Sequence, residues 1–389
     1  MIKKIIFSIF LLIVICIAAI LIIAPVKVDQ SKNQVAPHKP YVVSKQAQQL
    51  HDSLIIGDWH ADSLLWNRDL SKRNHYGHVD IPRLQQGNVG LQMFTTATKS
   101  PSGQNYHHNE ASASDRITLL ALVQRWPIQT WTSLKARAIH QAKKLHALER
   151  KNSNDLFIIK SQKDLASWQN KRKTNSKLIG ALLGTEGSHA LDGDLDNIQE
   201  LFDYGFRMMS LQHFFDNKLG ASLHGASQSG LSDFGRQAII KMNQLNIIID
   251  VSHSSESVVA DVLKLSTRPL VISHTGFKGH CDTDRNISDL LMKKVAAKGG
   301  LIAVGYWNAA VCGTHPQNIA QAIKYGIGLV GADHVSLGSD FDGSVTTKID
   351  TGQLSAITQA LLNEGVNESQ IKKVMGENML KFLAQFLPI

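Results

Sequence analysis

Histidines and carboxylates directly follow short apolar segments at several places in this sequence of 389 residues. His60 and Asp62 form a His-x-Asp pair after the first such segment, and Glu186, His253 and His274 follow later ones. Residues two apart on an extended strand point to the same side, so His60 and Asp62 can share one metal ion. Imidazole and carboxylate groups are ligands of catalytic zinc sites. The spacing therefore predicts a catalytic metal centre without thiolate ligands.

Glu186 stands between the two groups of ligands along the chain. A carboxylate has two oxygen atoms and can bridge two cations, so the five residues predict a pair of metal ions with Glu186 between them. A water between such ions would be acidified and would attack a carbonyl carbon. Asp340 follows the last apolar segment and is placed to take the proton from that water and pass it to a leaving amine. The predicted chemistry is hydrolysis.

Each of these residues has a simpler explanation when it is taken alone. A single His-x-Asp pair occurs by chance, and a histidine at the end of a strand is usually a satisfied polar residue. Glu186 could support a helix N-terminus, and Asp340 and Asp342 could cap the turn that follows them. Their common placement after apolar segments favours the metal centre.

Eight short apolar segments precede these residues and alternate with amphipathic stretches. The segments are Leu54–Gly57, Val89–Phe94, Leu178–Leu183, Met208–Leu211, Ile247–Val251, Leu270–Ile272, Leu301–Val304 and Val335–Leu337. Apolar strands that alternate with helices are typical of a parallel sheet covered on both faces. Eight of them predict an α/β fold, the (β/α)8 TIM barrel, whose functional side chains lie at the C-terminal ends of the strands.

The connection between the second and third apolar segments is unusually long. Ser100–Ser114 is polar and predicts a surface loop, and the helical pattern over Ile117–Arg150 predicts an insertion into the barrel. No C-x-x-C pair occurs in the sequence. Cys281 and Cys312 could form a disulfide in an oxidising compartment, which their spacing alone does not decide.

The N-terminus carries a targeting signal. Lys3 and Lys4 precede an uncharged apolar run from Ile5 to Ala24, and Pro25 follows. About twenty helical residues span about 30 Å, the thickness of the hydrocarbon core. The lysines favour a cytoplasmic N-terminus. We therefore predict that residues 1–25 form a transmembrane signal anchor and that the catalytic domain lies outside the cytoplasm; a cleaved secretory signal is the alternative.

The rest of the chain divides at one polar stretch. Residues 26–45 contain Pro37 and Pro40 and predict a linker that lifts the domain off the membrane. Residues 46–389 show no internal repeat and predict one barrel domain. The formal net charge is +9, but the basic residues are spread out without interleaved aromatic residues, so nucleic acid is not predicted as a partner.

Several segments together resemble the membrane dipeptidase (renal dipeptidase) family of zinc peptidases, including its bacterial members. They are Gly57-Asp58-Trp59-His60-Ala61-Asp62, His78-Val79-Asp80-Ile81-Pro82-Arg83-Leu84, Gly184-Thr185-Glu186-Gly187, Leu231-Ser232-Asp233-Phe234-Gly235, Ile249-Asp250-Val251-Ser252-His253, Ile272-Ser273-His274, Asp284-Arg285-Asn286-Ile287-Ser288-Asp289 and Gly338-Ser339-Asp340-Phe341-Asp342-Gly343. The resemblance extends from about residue 46 to the C-terminus.

The resemblance implies a barrel of the amidohydrolase type and zinc-dependent hydrolysis of dipeptides, including those with a D-residue in second position. It implies two zinc ions bridged by Glu186, with these ligands: His60, Asp62, Glu186, His253 and His274. His213 looks like the residue that contacts the scissile carbonyl or its oxyanion. Arg285 looks like the residue that binds the substrate's C-terminal carboxylate, for which its fork of donors is suited. Asp340 looks like the acid/base residue at the substrate, and a homodimer is expected.

The chain departs from the family pattern on both sides of His60, where Trp59 and Ala61 replace residues common in the family, and Trp59 is expected to narrow the pocket. The segment from Lys99 to about Asp164 matches poorly and leaves substrate selection open. A hydrolase of the same barrel that acts on a lactone or another amide is one alternative. A non-catalytic cell-envelope binding protein is the other, although the full set of ligands argues against it.

Overall fold

Eight parallel strands form a closed barrel in the computed structural model, which describes residues 2–389, without the side chains at positions 17 and 18. The barrel strands are β1 (Ile56–Ala61), β2 (Val89–Ala97), β3 (Ile179–Glu186), β4 (Phe206–Ser210), β5 (Ile248–Asp250), β6 (Val271–Thr275), β7 (Leu301–Val304) and β8 (Val335–Leu337). Each strand pairs with the next, and β8 pairs with β1 to close the ring. Every predicted apolar segment contributes to one strand, so the predicted (β/α)8 barrel is confirmed.

Helices precede, connect and follow the strands, and most of them pack around the barrel. They are α1 (Ile2–Lys32), α2 (Lys45–Ser53), α3 (Ile81–Gln86), α4 (Arg116–Val123), α5 (Leu134–Lys151), α6 (Gln162–Arg172), α7 (Asp196–Asp203), α8 (Asp233–Gln244), α9 (Glu256–Leu265), α10 (Asp289–Ala297), α11 (Asn308–Val311), α12 (Pro316–Val330), α13 (Ser355–Asn363), α14 (Glu368–Lys372) and α15 (Asn378–Phe386). Serine side chains cap several of them; Ser232 and Ser255 accept hydrogen bonds from the first turns of α8 and α9.

Two hydrophobic clusters divide the strand residues between the inside and the outside of the barrel. The outer cluster joins alternate strand residues, such as Ile249 and Ile302, to the surrounding helices. The inner cluster contains Met208 and its counterparts on neighbouring strands, together with Phe382 of α15. Because successive strand residues point to opposite faces, both faces of the sheet are buried, which explains why the strands are continuously apolar.

The long connection after β2 adds helices α4 and α5 and a short strand, Leu156–Ile158, which pairs with the start of β3. A third cluster, which includes Trp126 and Leu120, packs this region against Trp66 near the end of β1. Ser133 and Asp115 accept hydrogen bonds at the N-termini of α5 and α4. The inserted region is therefore built onto the C-terminal mouth of the barrel, where the site lies.

Helix α1 is long and apolar enough to be a candidate membrane span. It continues beyond Pro25, where the apolar run ends, to Lys32. The following residues pair as a short strand, Gln34–Val35, with Thr346–Thr347, and the Tyr41 hydroxyl donates to the carbonyl of Lys348 at 2.7 Å. The stretch expected to lift the domain off the membrane thus lies against the barrel, because its polar groups find partners there.

Candidate metal centre

The five predicted ligands meet at the C-terminal mouth of the barrel, where all are buried. Three imidazole Nε2 atoms surround Oε1 of Glu186: that of His60 at 3.5 Å, that of His253 at 3.4 Å and that of His274 at 3.6 Å. Nε2 of His60 is also 3.6 Å from Oδ2 of Asp62. Strand ends that are far apart in sequence thus bring every residue predicted to bind metal into one cluster.

Ser273, between two of these histidines, sets the proton positions on their rings. Its hydroxyl donates to Asp250 at 2.6 Å, and its oxygen lies 3.0 Å from Nδ1 of His60 and 2.9 Å from Nδ1 of His274. A hydroxyl has one proton, so with that proton on Asp250 its oxygen can only accept from the two rings. In their neutral forms both histidines therefore carry the proton on Nδ1 and direct a bare Nε2 lone pair into the cluster.

The charge states of the cluster suit metal binding. Burial holds the pKa values of His253 and His274 well below their usual value, so both rings are neutral, the form in which imidazole binds a metal ion. Burial alone would raise the pKa of Glu186, but His213, His253 and His60 around it hold that pKa well below its usual range. Glu186 is therefore an ionised carboxylate with imidazoles around both of its oxygens.

His60 shows that the cluster needs positive charge. Burial alone would lower the pKa of its ring, but Asp62 and Glu186 hold that pKa well above its usual value. Its Nε2 is buried and makes no hydrogen bond within the part of the chain that the structure describes. A cation at this place would replace the proton and satisfy the orphaned nitrogen. The donor set, imidazole nitrogens with carboxylate oxygens, fits a divalent metal ion.

Asp340 lies beside the ligands on the turn after β8. One oxygen of its carboxyl group lies within 4.8 Å of ligand atoms of His60, Glu186 and His274. Burial raises the pKa of Asp340 well above its usual range, and the negative charges of Glu186 and Asp62 add to the rise, while His60 opposes it. The backbone φ of Asp340 is 58°, a left-handed value that aspartate adopts more readily than most non-glycine residues. This carboxyl group holds a proton more readily than a surface aspartate does.

His213 and Arg285, the two residues expected to contact substrate, lie next to the cluster. Nδ1 of His213 is 2.9 Å from the carbonyl oxygen of Lys99, and its Nε2 is 3.4 Å from Oε2 of Glu186. Arg285 is buried and donates from Nη2 to the carbonyl oxygen of His274 at 2.6 Å. Its Nε has no hydrogen-bond partner among residues 2–389. A buried donor without a partner is available to a bound anion.

The segment predicted as a surface loop, Ser100–Ser114, contributes a wall of the site through Tyr106. Its phenol oxygen accepts a hydrogen bond from Nε1 of Trp307 at 2.9 Å, and the Trp307 ring centroid is 5.2 Å from the Arg285 guanidinium carbon. Burial raises the pKa of Tyr106 to about 12. His107 and His108 are exposed, as expected of a surface loop, whereas Tyr106 is half-buried because aromatic neighbours from other loops pack against its ring.

A cavity of about 330 Å³ opens above the cluster. Its lining includes Asp62, Glu186 and His213 at the base and Tyr106 on the side. Trp59 does not line it. The Trp59 ring packs edge-to-face on Phe382 of α15, with ring centroids 5.6 Å apart, inside the barrel. The expectation that Trp59 narrows the pocket is therefore wrong, because its side chain points to the barrel interior.

Sequence reasoning missed the residues that hold the proposed ligands in place. Besides Asp250 and Ser273, a second pair of the same kind joins Asp58 to Ser339, whose hydroxyl donates to Oδ2 at 2.6 Å. The Ser339 hydroxyl also lies 3.1 Å from the carbonyl oxygen of His60. Both serines directly precede a site residue in the motif segments, which was the signal available in the sequence.

Residues 44–386 match the family model described as Membrane dipeptidase (Peptidase family M19). This chain belongs to the membrane dipeptidase family. It is 27% identical over 323 residues to "Dipeptidase tcpJ" of Claviceps purpurea (strain 20.1), a match that covers 79% of this chain and 69% of that protein. Together with the buried cluster of His, Glu and Asp, the family membership makes this chain a metallo-dipeptidase, a hydrolase of peptide bonds.

Solved structures share the fold of this dipeptidase. The probable dipeptidase PvdM from Pseudomonas aeruginosa superimposes with a TM-score of 0.71 at 19% identity, covering 88% of this chain and 98% of that one. A metallo peptidase from Rhodobacter sphaeroides, solved with a phosphinate mimic of the dipeptide L-Ala-D-Ala, gives a TM-score of 0.68 at 21% identity and covers 86% and 99%. At these identities the likeness establishes the barrel and nothing finer.

Proposed function

We propose that this dipeptidase hydrolyses dipeptides with two zinc ions held by His60, Asp62, Glu186, His253 and His274, with Glu186 as the ligand common to both. The observation that carries the proposal is the convergence of three imidazole nitrogens on Oε1 of one buried carboxylate, within 3.6 Å. The site offers five proposed ligands, one more than a tetrahedral zinc ion takes, and Glu186 lies among the others. When bound, zinc lowers the pKa of a water molecule and polarises a carbonyl group.

Three residues around the proposed ligands transfer the proton and bind the substrate. Asp340 is the proton carrier, because its carboxyl group lies among the ligand atoms and burial raises its pKa. His213 contacts the scissile carbonyl oxygen, since Nδ1 is tied to the carbonyl of Lys99 and Nε2 faces the site. Arg285 binds the C-terminal carboxylate of the substrate, which limits cleavage to short peptides.

The proposed substrates include dipeptides with a D-residue in second position. The metallo peptidase from Rhodobacter sphaeroides, which shares the fold, was solved with a mimic of L-Ala-D-Ala. A panel of L,L- and L,D-dipeptides tests this point directly. Cleavage of L,L-dipeptides alone would restrict the proposed substrates to dipeptides without a D-residue.

The metal centre is tested by Glu186→Gln, which keeps the size of the side chain and removes its charge. We expect loss of dipeptide cleavage and of at least one zinc ion per chain, measured by elemental analysis of the purified protein. The matched control is Glu368→Gln, because Glu368 is exposed at the start of α14, far from the site in the fold. Full activity and unchanged zinc content in Glu186→Gln would refute the proposal.

Arg285 separates dipeptides from the alternative substrates, a lactone or another amide. Arg285→Lys keeps the charge but removes the two-pronged donor geometry. For dipeptides we expect KM to rise more than tenfold, and we expect no such rise for a dipeptide amide, which lacks the carboxylate. Equal effects on both substrates would favour an amidohydrolase that does not recognise a free carboxylate.

We propose further that α1 anchors the protein with its catalytic domain on the non-cytoplasmic side, as a homodimer. Two observations support this location: the apolar run of α1 and the disulfide between Cys281 and Cys312. Disulfides persist in oxidising compartments and are rare in the cytosol. Protease protection in membrane vesicles of known orientation tests the topology, and light scattering in detergent tests the homodimer.

A further inference from the structure

The C-terminal end of the candidate membrane helix forms part of the substrate cavity. Val28 and Lys32 of α1 line the same cavity as Asp62 and Glu186 at its base. The apolar run that would cross a membrane ends at Ala24, and the helix continues without interruption to Lys32. The segment that leaves the membrane therefore reaches the site directly.

A buried ion network fixes this end of α1 to the barrel. Nε of Arg68 lies 2.9 Å from a carboxylate oxygen of Asp29, and Nη2 of the same arginine lies 2.7 Å from one of Asp342, so Arg68 forms an ion pair with each. All three side chains are buried. Asn33 adds a hydrogen bond to Asp29 at 2.7 Å and accepts one from the backbone of Ser344 at 3.0 Å. Breaking a buried ion pair is costly, so the helix end keeps its place beside the cavity.

Two cationic side chains that line the cavity have no polar partner within the part of the chain that the structure describes. Lys32 is half-buried at the end of α1, and Arg116 is exposed at the start of α4, which packs against α1. Both line the cavity. Across residues 2–389 neither side chain forms a hydrogen bond or an ion pair with a protein group. The carboxylates that line the cavity, Asp62 and Glu186, lie at its base as proposed metal ligands.

We propose that Lys32 and Arg116 bind an acidic side chain of the substrate, so that the enzyme prefers dipeptides that contain glutamate or aspartate. The inference rests on the proposed dipeptidase function, in which Arg285 already takes the C-terminal carboxylate. A second carboxylate on the substrate then needs a second cationic position, and the mouth of the cavity supplies one. The anchor helix thereby contributes a residue that determines specificity.

The test compares glutamate substrates with glutamine substrates of the same shape, using the full-length protein in detergent. The probes are Glu-Ala against Gln-Ala and Ala-Glu against Ala-Gln, each reported as a ratio of kcat/KM values. Wild type should favour the glutamate member of one pair, and this preference should shrink in 0.5 M NaCl, because salt screens charges near the surface. The comparison cancels general effects on folding or metal content, since both substrates meet the same enzyme.

Lys32→Gln should lower the glutamate to glutamine ratio about threefold, the effect of one partly exposed charge pair. Lys32→Glu should lower it about tenfold, because attraction is replaced by repulsion. The matched control is Lys27→Gln on the same helix, which is exposed, does not line the cavity and should leave the ratio unchanged.

The outcomes separate this inference from the proposed function. If dipeptides are cleaved but the ratio is the same in wild type, Lys32→Gln and Lys32→Glu, the cationic site is wrong and the dipeptidase proposal stands. If Lys27→Gln changes the ratio as much as Lys32→Gln, the effect is one of general charge and the inference is overturned. If wild type cleaves no dipeptide of either kind, the proposed function fails and the inference fails with it.

Discussion

Ser273→Ala removes the hydroxyl group that joins two proposed zinc ligands to one buried carboxylate. In the structure this hydroxyl donates to Asp250 and lies within hydrogen-bond distance of Nδ1 of both His60 and His274. Without it, either ring can place its proton on Nε2, the atom that faces the metal centre. The variant therefore weakens metal binding without touching a ligand.

The expected loss of zinc affinity follows from the contacts of the Ser273 hydroxyl. Removal of a group that orients a metal-binding histidine typically lowers the metal affinity 10- to 100-fold, which corresponds to about 1.4–2.8 kcal/mol of binding free energy. Oδ2 of Asp250 also loses its hydrogen bond from the hydroxyl, and a bond to a charged group contributes about 1.5–3 kcal/mol to stability. Oδ1 keeps its bonds from the backbone of Ser252 and Ser273, both at 2.9 Å. We therefore expect weaker zinc binding in a protein that still folds.

The measurement is zinc affinity by competition with a chelator of known affinity, together with near-ultraviolet circular dichroism to verify the fold. The control is Ser336→Ala on β8, because the Ser336 hydroxyl is buried and makes no hydrogen bond within the described residues. Its loss should leave zinc affinity within about twofold of wild type, well below the effect expected at Ser273. Wild-type affinity in a folded Ser273→Ala would show that this serine does not set the ring protons.

Three further perturbations test the surrounding structure. Gly338→Ala places a Cβ atom 1.8 Å from the carbonyl oxygen of Ser273, so we expect lower thermal stability and zinc loss, measured by calorimetry and elemental analysis. Reduction of the Cys281–Cys312 disulfide, which closes a separation of 31 residues, should lower the unfolding free energy by about 2–4 kcal/mol in denaturant titrations; an unchanged midpoint would contradict this. Burial alone would raise the pKa of Asp342, but Arg68 holds that pKa far below its usual range. The ionised Asp342 therefore stabilises the folded state above about pH 4, and this contribution is lost as the solution becomes more acidic. The stability difference between metal-free wild type and Asp342→Asn should therefore shrink below about pH 4, and a difference that is constant with pH would contradict the ion pair.

The sequence determined the barrel and the composition of its metal cluster. Eight apolar segments, each bounded by polar residues, are local patterns, and burial on both faces is the arrangement that makes such strands stable. Once the strands are known, their C-terminal ends meet at one mouth, so residues such as His60 and His274 can be placed together without coordinates. The same rule placed Glu186 and Asp340 beside them.

The tertiary structure decided which groups hold the ligands and what walls the cavity. Three features depend on packing between segments that are distant in sequence. Trp59 points into the barrel, and Tyr106 lies against aromatic neighbours. Arg68 forms ion pairs with both Asp29 and Asp342. Local propensity carries no information about such partners. For the same reason, the polar residues after the apolar run predict a linker that lifts the domain off the membrane, while in the fold Gln34–Val35 pairs with Thr346–Thr347 and Tyr41 donates to the carbonyl of Lys348.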